Sequence, residues 1–200
     1  MSKHVMHGPY EKYFKRPQDF VLSLLGAIVL SPVMAVTAVL VRVKLGSPVL
    51  FTQDRPGKDG KVFKLYKFRS MTDARDKDGR LLPDDERLPA FGKKLRATSL
   101  DELPELFNII RGDMSIVGPR PERKYYIDQI IQRVPAYALL HQVRPGITSM
   151  GMVKYGYAKN VDEMVERVKY DLMYLDNMSL LNDLKILIYT IKIVFTGRGM

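Results

Sequence analysis

The sequence predicts an α+β protein, mostly helical, in which a membrane re-entrant helix-break-helix anchor precedes a small β-hairpin and several amphipathic helices. Three observations carry this. Residues 20–41 form an uncharged run interrupted by Ser31-Pro32, two alternating runs flank a turn-rich segment around Gly57, and residues 161–195 repeat apolar side chains at helical spacing.

With 200 residues and 46% hydrophobic content the chain can bury one proper core. A net charge of +10 attracts nucleic acid, anionic lipid or phosphorylated substrates, and composition alone does not choose among them. The chain has no cysteine, which excludes disulfides, thiolate zinc sites and cysteine nucleophiles; its three histidines, His4, His7 and His141, are too scattered for a metal cluster.

The uncharged run from Phe20 to Val41 would be roughly 33 Å long as a straight helix, enough to span a bilayer. Pro32 removes the bond to the carbonyl of Ile28, and the hydroxyl of Ser31 can bond the carbonyl of Ala27 or Ile28, so a kink is expected at Ser31-Pro32. Lys12, Lys15 and Arg16 precede the run while Arg42 and Lys44 follow it. Basic residues on both flanks favour a hairpin that enters and leaves on one face over a proline-kinked spanning helix, which is the alternative.

Next, Val49 to Gln53 and Lys61 to Arg69 read as hairpin strands around the turn Asp54 to Gly60. Alternation sends Phe63, Leu65, Lys67 and Arg69 to one face, so Lys67 and Arg69 could together hold an anion or form a solvated basic edge. Thr72 to Lys94 reads as a long connection with one short helix. Asp76-Lys77-Asp78 within it is a solvated turn in preference to a cation site. Helices are expected over Pro121 to Val134, over Val161 to Leu175 with Asn160 and Glu163 as a capping box, and over Leu180 to Phe195. The last puts Leu180, Leu184, Leu187, Ile188, Ile191, Val194 and Phe195 on one side, either against a core or on a membrane surface.

Chemistry concentrates between Ser99 and Glu122. Asp101 and Glu102 follow Ser99 in a capping-box pattern, but Pro104 disturbs a helix begun at Ser99, so either the first turn is irregular or the helix starts at Pro104. Acids beside a helix start share that place with an incoming phosphate, and adjacent residues pointing about 100° apart should divide roles. Arg96, Arg120 in Pro119-Arg120-Pro121, and Arg144 before Pro145 supply cations for a diphosphate.

The series K-F-R-S-M at Lys67 to Met71, S-L-D-E-L-P-E-L at Ser99 to Leu106, G-D-M-S-I-V-G-P-R-P-E at Gly112 to Glu122 and R-P-G-I-T at Arg144 to Thr148 resembles the bacterial sugar transferases, the monotopic phosphoglycosyl transferases. The resemblance runs roughly from Tyr13 to Thr196 in motif order and includes the Ser31-Pro32 break. It implies transfer of a sugar 1-phosphate from a UDP-sugar to undecaprenyl (polyprenol) phosphate, with release of UMP, as the first membrane step of a surface glycan such as an exopolysaccharide or lipopolysaccharide. It further implies that Asp101 is the nucleophile and a ligand of Mg2+, that Glu102 assists, and that Lys67, Arg69, Arg96, Arg120 and Arg144 bind phosphates. The chain then divides into a basic flank at 1–19, a re-entrant helix at 20–41 and a catalytic domain at 42–200 on the cytoplasmic face of a bacterial inner membrane, with the lipid bilayer as partner and no nucleic acid.

One departure stands out: after Thr148 the chain reads S-M-G-M-V-K-Y-G-Y, without the tryptophan many relatives carry there, so sugar specificity does not carry over. Two other classes compete: a membrane-anchored basic module that binds lipid or nucleic acid without catalysis, and an ordinary glycosyltransferase that releases UDP.

Overall fold

The computed structural model describes residues 8–195; positions 1–7, with His4 and His7, positions 196–200 and the side chain of Phe195 lie outside that description. After a π-helical turn at Tyr10–Lys15 come helix α1 (Arg16–Val29) and helix α2 (Ser31–Leu45). The uncharged run thus belongs to two longer helices bent by 62°. The break falls where the residues require it. Pro32 sits in the first turn of α2, where a missing N–H costs nothing, and Ser31 Oγ donates to the carbonyl of Ile28 at 2.8 Å. Among the described residues no single helix is long and apolar enough to cross a membrane, whereas the bent pair passes that test jointly.

The basic flank has a different role from the one its charge suggested. Lys15 is buried against Asp183 at 2.5 Å, and Arg16 donates to the carbonyls of Ile109 and Ile110 at 2.5 and 2.8 Å. Both cations are therefore engaged by protein, which weakens the argument from basic residues on both flanks. Asp19 completes the attachment, accepting from Ser115 Oγ at 2.6 Å and from Ile116 N–H at 3.1 Å. Outward, α1 and α2 leave Val21, Leu25, Ile28, Val29, Val36 and Val43 exposed.

Strands β1 (Leu50–Pro56) and β2 (Val62–Phe68) form the expected antiparallel hairpin, with β1 running three residues further than the alternation indicated. In the connection that follows there are two short helices in place of one, α3 (Asp84–Arg87) and α4 (Ala90–Ala97). Asp76 Oδ1 accepts from the N–H groups of Asp78 and Arg80, both at 2.9 Å, so that acidic segment is a turn. Phe68, Leu95 and Val41 pack together and seat the hairpin and α4 on the end of α2.

Helix α5 (Glu105–Arg111) lies against α1, and its buried Asn108 accepts from Tyr66 N–H at 3.0 Å and donates to the Lys64 carbonyl at 2.7 Å. The amide side chain thereby docks α5 on the strand edge. Then β3 (Ser115–Val117) pairs in parallel with β4 (Gly146–Thr148), a contact the periodicity did not indicate because each strand is only three residues long. A Cβ on Gly146 would lie 2.1 Å from Gly118 N, and one on Gly118 would lie 2.5 Å from the Arg144 carbonyl oxygen. Only glycine permits this approach.

Between the strands, α6 (Lys124–Arg133) starts three residues later than expected because Pro119 to Arg123 is non-helical, with Arg123 itself extended, and a 3-10 stretch covers Pro135–Gln142. After β4 come α7 (Met150–Lys154), α8 (Val161–Asp176) and α9 (Leu180–Phe195). Asn160 caps α8 as expected, accepting from Glu163 N–H at 2.9 Å, although Glu163 reaches back to Lys159 N–H. Ile127, Ile130, Tyr137, Leu140, Met164 and Val168 form the main core. Helix α9 packs through Asp183, Ile186 and Leu187, while most of its apolar stripe, Leu180, Leu184, Ile188 and Ile191, faces outward.

Candidate functional site

The acids sit in a turn shaped by backbone conformation. Ser99 takes a left-handed φ of 54°, and Leu100–Glu102 form a 3-10 turn whose Glu102 N–H donates to the Ser99 carbonyl at 3.1 Å. Ser99 makes no side-chain cap, and α5 begins only after Pro104. The capping-box reading is thus overturned, and with the α-helix starting at Glu105 neither acid is in its first turn.

Asp101 and Glu102 are both buried at the wall of a cleft of about 460 Å3. Lys67 from β2, Arg69 just beyond it, Arg96 from α4 and Arg120 from the Pro-Arg-Pro segment line the same cleft. Residues 53 positions apart in sequence are thus assembled around one space.

The two carboxylates are held differently. Glu102 Oε1 accepts from Lys67 Nζ at 2.6 Å and from Arg120 Nη2 at 3.4 Å. Burial works against its charge, but these two cations bring its pKa below the ordinary carboxylate value. For Asp101, by contrast, no side-chain bond or ion pair is formed among the described residues. Burial, then the negative charge of Glu102, pushes its pKa up to about 6, with Lys67 and Arg96 pulling the other way. It is still mostly ionised at neutral pH.

Lys67 also reaches Glu105 Oε1 at 3.1 Å. Burial opposes the ammonium charge, yet the two glutamates hold its pKa above the ordinary lysine value. Glu105, fully enclosed, is pushed up to about 7, first by burial and then by Glu102, against the pull of Lys67. Arg120 has its guanidinium 5.0 Å from the ring centre of Tyr157 and an Nη1 contact to Met152 Sδ at 3.2 Å. Arg96 Nε donates to Ser70 Oγ at 2.9 Å.

Two expected phosphate ligands stand apart. Arg69 lines the cleft, but its guanidinium is engaged by the carbonyls of Ser47 and Met71 and by Asp73 at 2.5 Å. Arg144 is outside the cleft; its Nε donates to the Gly112 carbonyl at 2.9 Å and finishes the C-terminal end of α5. Sequence reasoning missed Glu105, Arg55, Arg123 and Tyr157. Glu105 lay in the quoted Asp-Glu-Leu-Pro-Glu segment, three residues after Glu102, a spacing that puts side chains on one face. For Arg55, the fork donates to the Pro121 carbonyl at 2.6 Å and Gln53 Oε1 at 2.7 Å, buttressing the segment that carries Arg120.

Among the described residues no group of three or more histidine, cysteine or acidic side chains is arranged to hold a metal ion. The donor set still suits magnesium, which takes one or two carboxylates and completes its shell with water and substrate phosphate oxygens. Asp101, whose carboxylate has no side-chain partner among the described residues, is the donor that would suit it.

Residues 10–197 match the family described as bacterial sugar transferase. The UDP-N-acetylgalactosamine-undecaprenyl-phosphate N-acetylgalactosaminephosphotransferase of Aeromonas hydrophila is 37% identical over 98% of this chain, which covers 47% of that protein. The UDP-glucose:undecaprenyl-phosphate glucose-1-phosphate transferase of Klebsiella pneumoniae is 41% identical, with 93% of this chain covering 41% of it. An uncharacterized sugar transferase of Bacillus subtilis, EpsL, is of similar length: 41% identity extends over 93% of this chain and 89% of that one. The chain thus spans less than half the length of the two named phosphotransferases.

Proposed function

From its place in the bacterial sugar transferase family, to which this chain belongs, we propose that it transfers a sugar 1-phosphate from a UDP-sugar to undecaprenyl or a similar polyprenol phosphate and releases UMP. The observation that carries the reading is the division of labour in the acid pair. Glu102 is neutralised by Lys67 and Arg120, which leaves Asp101 as a carboxylate without a side-chain partner in a cationic cleft.

In this reading an Asp101 oxygen attacks the phosphorus that bears the sugar; the Asp–O–P bond forms as the P–O bond to UMP breaks, and UMP leaves with the electron pair. The phosphate oxygen of the polyprenol phosphate then attacks the same phosphorus, expels the Asp101 carboxylate and yields a polyprenyl diphosphosugar. Arg96, Arg120 and Lys67 offset the diphosphate charge, while Arg69 and Arg144 act through the loops they tie. Glu102 orients Lys67 and Arg120. Magnesium held by Asp101 and the substrate diphosphate would screen the repulsion between the anions.

The exposed apolar faces of α1, α2 and α9 support attachment to a bilayer at the level of the cleft, with the bent pair entering and leaving on one side. In a bacterium this is the cytoplasmic membrane, with the domain on its cytoplasmic face and the product feeding surface glycan assembly. Because the chain lacks cysteine, Lys3→Cys and Lys58→Cys should label from the same side; labelling from opposite sides would exclude the hairpin.

The activity is tested by incubating membranes that carry the protein with a panel of UDP-sugars, magnesium and polyprenol phosphate. UMP is the expected product, and UDP alone would point to an ordinary glycosyltransferase. Labelled sugar phosphate should stay on the protein when the acceptor is withheld.

A further inference from the structure

Beside the polar cleft lies a second cavity, of about 580 Å3, to which the chemistry above gives no role. Its walls are Leu100 and Leu103 on either side of the acid pair, Val153 of α7, and Leu187, Ile193 and Val194 of α9. Glu102 and Tyr157 line both spaces, so the apolar slot meets the cationic cleft at the residue next to Asp101.

The threonine hydroxyls of the slot are already used. The hydroxyls of Thr148 and Thr190 bond one another at 2.7 Å, and Thr98 Oγ1 donates to the carbonyls of Lys94 and Leu95. A peptide would bring backbone groups that need partners here, whereas a hydrocarbon would not. The slot is also of ligand size.

We propose that the slot receives the first isoprenoid units of the acceptor lipid, with its phosphate passing Glu102 and Tyr157 toward Arg120. The inference rests on the phosphosugar reading, because of the two reactants only the acceptor joins a phosphate directly to a hydrocarbon. At the join, Glu102 presents little net repulsion, being paired with both Lys67 and Arg120. The wall itself offers an exit. Helix α9 turns Leu187 and Val194 to the slot and Leu184, Ile188 and Ile191 to the outside, so a chain longer than the slot continues along an apolar surface. Lys154, at the rim with its Nζ 5.5 Å from the ring centre of Tyr189, keeps its charge beside this path.

Val194→Trp narrows the slot from the α9 side and leaves the acid pair unsubstituted. In the full-length protein in lipid nanodiscs it should raise the KM for a long-chain polyprenol phosphate roughly tenfold or more and leave the KM for the UDP-sugar unchanged. An acceptor of two isoprene units should lose affinity to a similar degree, since those are the units the slot holds. An unchanged acceptor KM, or an equal rise for both substrates, would overturn the proposal. Should the variant not fold, the wild-type chain decides: an acceptor with a photoreactive group on its first isoprene unit should crosslink to Leu100–Leu103 or to α9. Crosslinks confined to α1 and α2 would refute the slot. A wild-type protein that releases no UMP from any UDP-sugar would instead defeat the parent reading, while the crosslink position would still report on the slot.

Discussion

Two lysines, Lys15 and Lys67, meet buried carboxylates under opposite arrangements. At Lys15 one carboxylate is surrounded by donors: Asp183 accepts from Lys15 at 2.5 Å, Tyr10 at 2.8 Å and Tyr174 at 2.6 Å. At Lys67 one ammonium serves two carboxylates, and a third, Asp101, stands beside them facing a cleft. The first arrangement is closed and its lone pairs are used, so its role is to join the π-helical turn ahead of α1 to α9. The second leaves acceptor capacity unspent, which is what a site needs if it is to bind a cation or attack phosphorus. Burial and pairing alone would have scored the two alike.

This contrast can be broken from either side. Asp101→Asn should lower phosphosugar transfer by at least about a thousandfold while the thermal midpoint barely moves, because no side-chain partner is lost; substantial residual UMP release would move the nucleophile elsewhere. Lys15→Ala should do the reverse, costing about 3–5 kcal/mol of stability by leaving Asp183 buried without its cation, with activity per folded molecule preserved. Chemical denaturation alongside single-temperature kinetics separates the two effects.

Smaller changes sharpen the comparison. Asp101 must be ionised to attack, so transfer should fall as the pH drops through about 6. Since Arg96 pulls that pKa down, Arg96→Gln should move the acid limb of the kcat profile to higher pH; an unmoved limb would show that another group sets it. Glu105→Gln keeps a hydrogen-bond partner for Lys67 but removes a charge whose pKa lies near 7. A few-fold change in kcat is expected, with a flatter profile around neutrality. An unaltered profile would make Glu105 a packing residue.

Much of this was legible in the chain. The break at Ser31-Pro32 follows from one missing N–H and one available hydroxyl, and both act locally. The hairpin and α8 were equally clear, since alternation and a cap are short-range signals. The acid pair was found, and of the two settings open to it the capping box fails because Ser99 turns left-handed, while the irregular turn and late helix start that Pro104 indicated are present. What stayed hidden depends on partners distant in sequence. Nothing near Arg69 or Arg144 announces that loop carbonyls will claim their guanidinium groups, and nothing near Glu105 announces Lys67. Lys15 and Arg16 looked like charges placed for a membrane, yet Asp183 and the last carbonyls of α5 bind them from far along the chain.

The grip of α1 on the rest of the molecule has a practical consequence for anyone seeking a soluble version by trimming. Removal of the residues before Gly46 would strip Lys15 from Asp183, Arg16 from the carbonyls of Ile109 and Ile110, and Asp19 from Ser115 and Ile116, besides taking Val41 out from under Phe68 and Leu95. The exposed apolar segment is a piece of the scaffold's own masonry, and solubility is better sought by recolouring its outer face with polar side chains than by cutting it away.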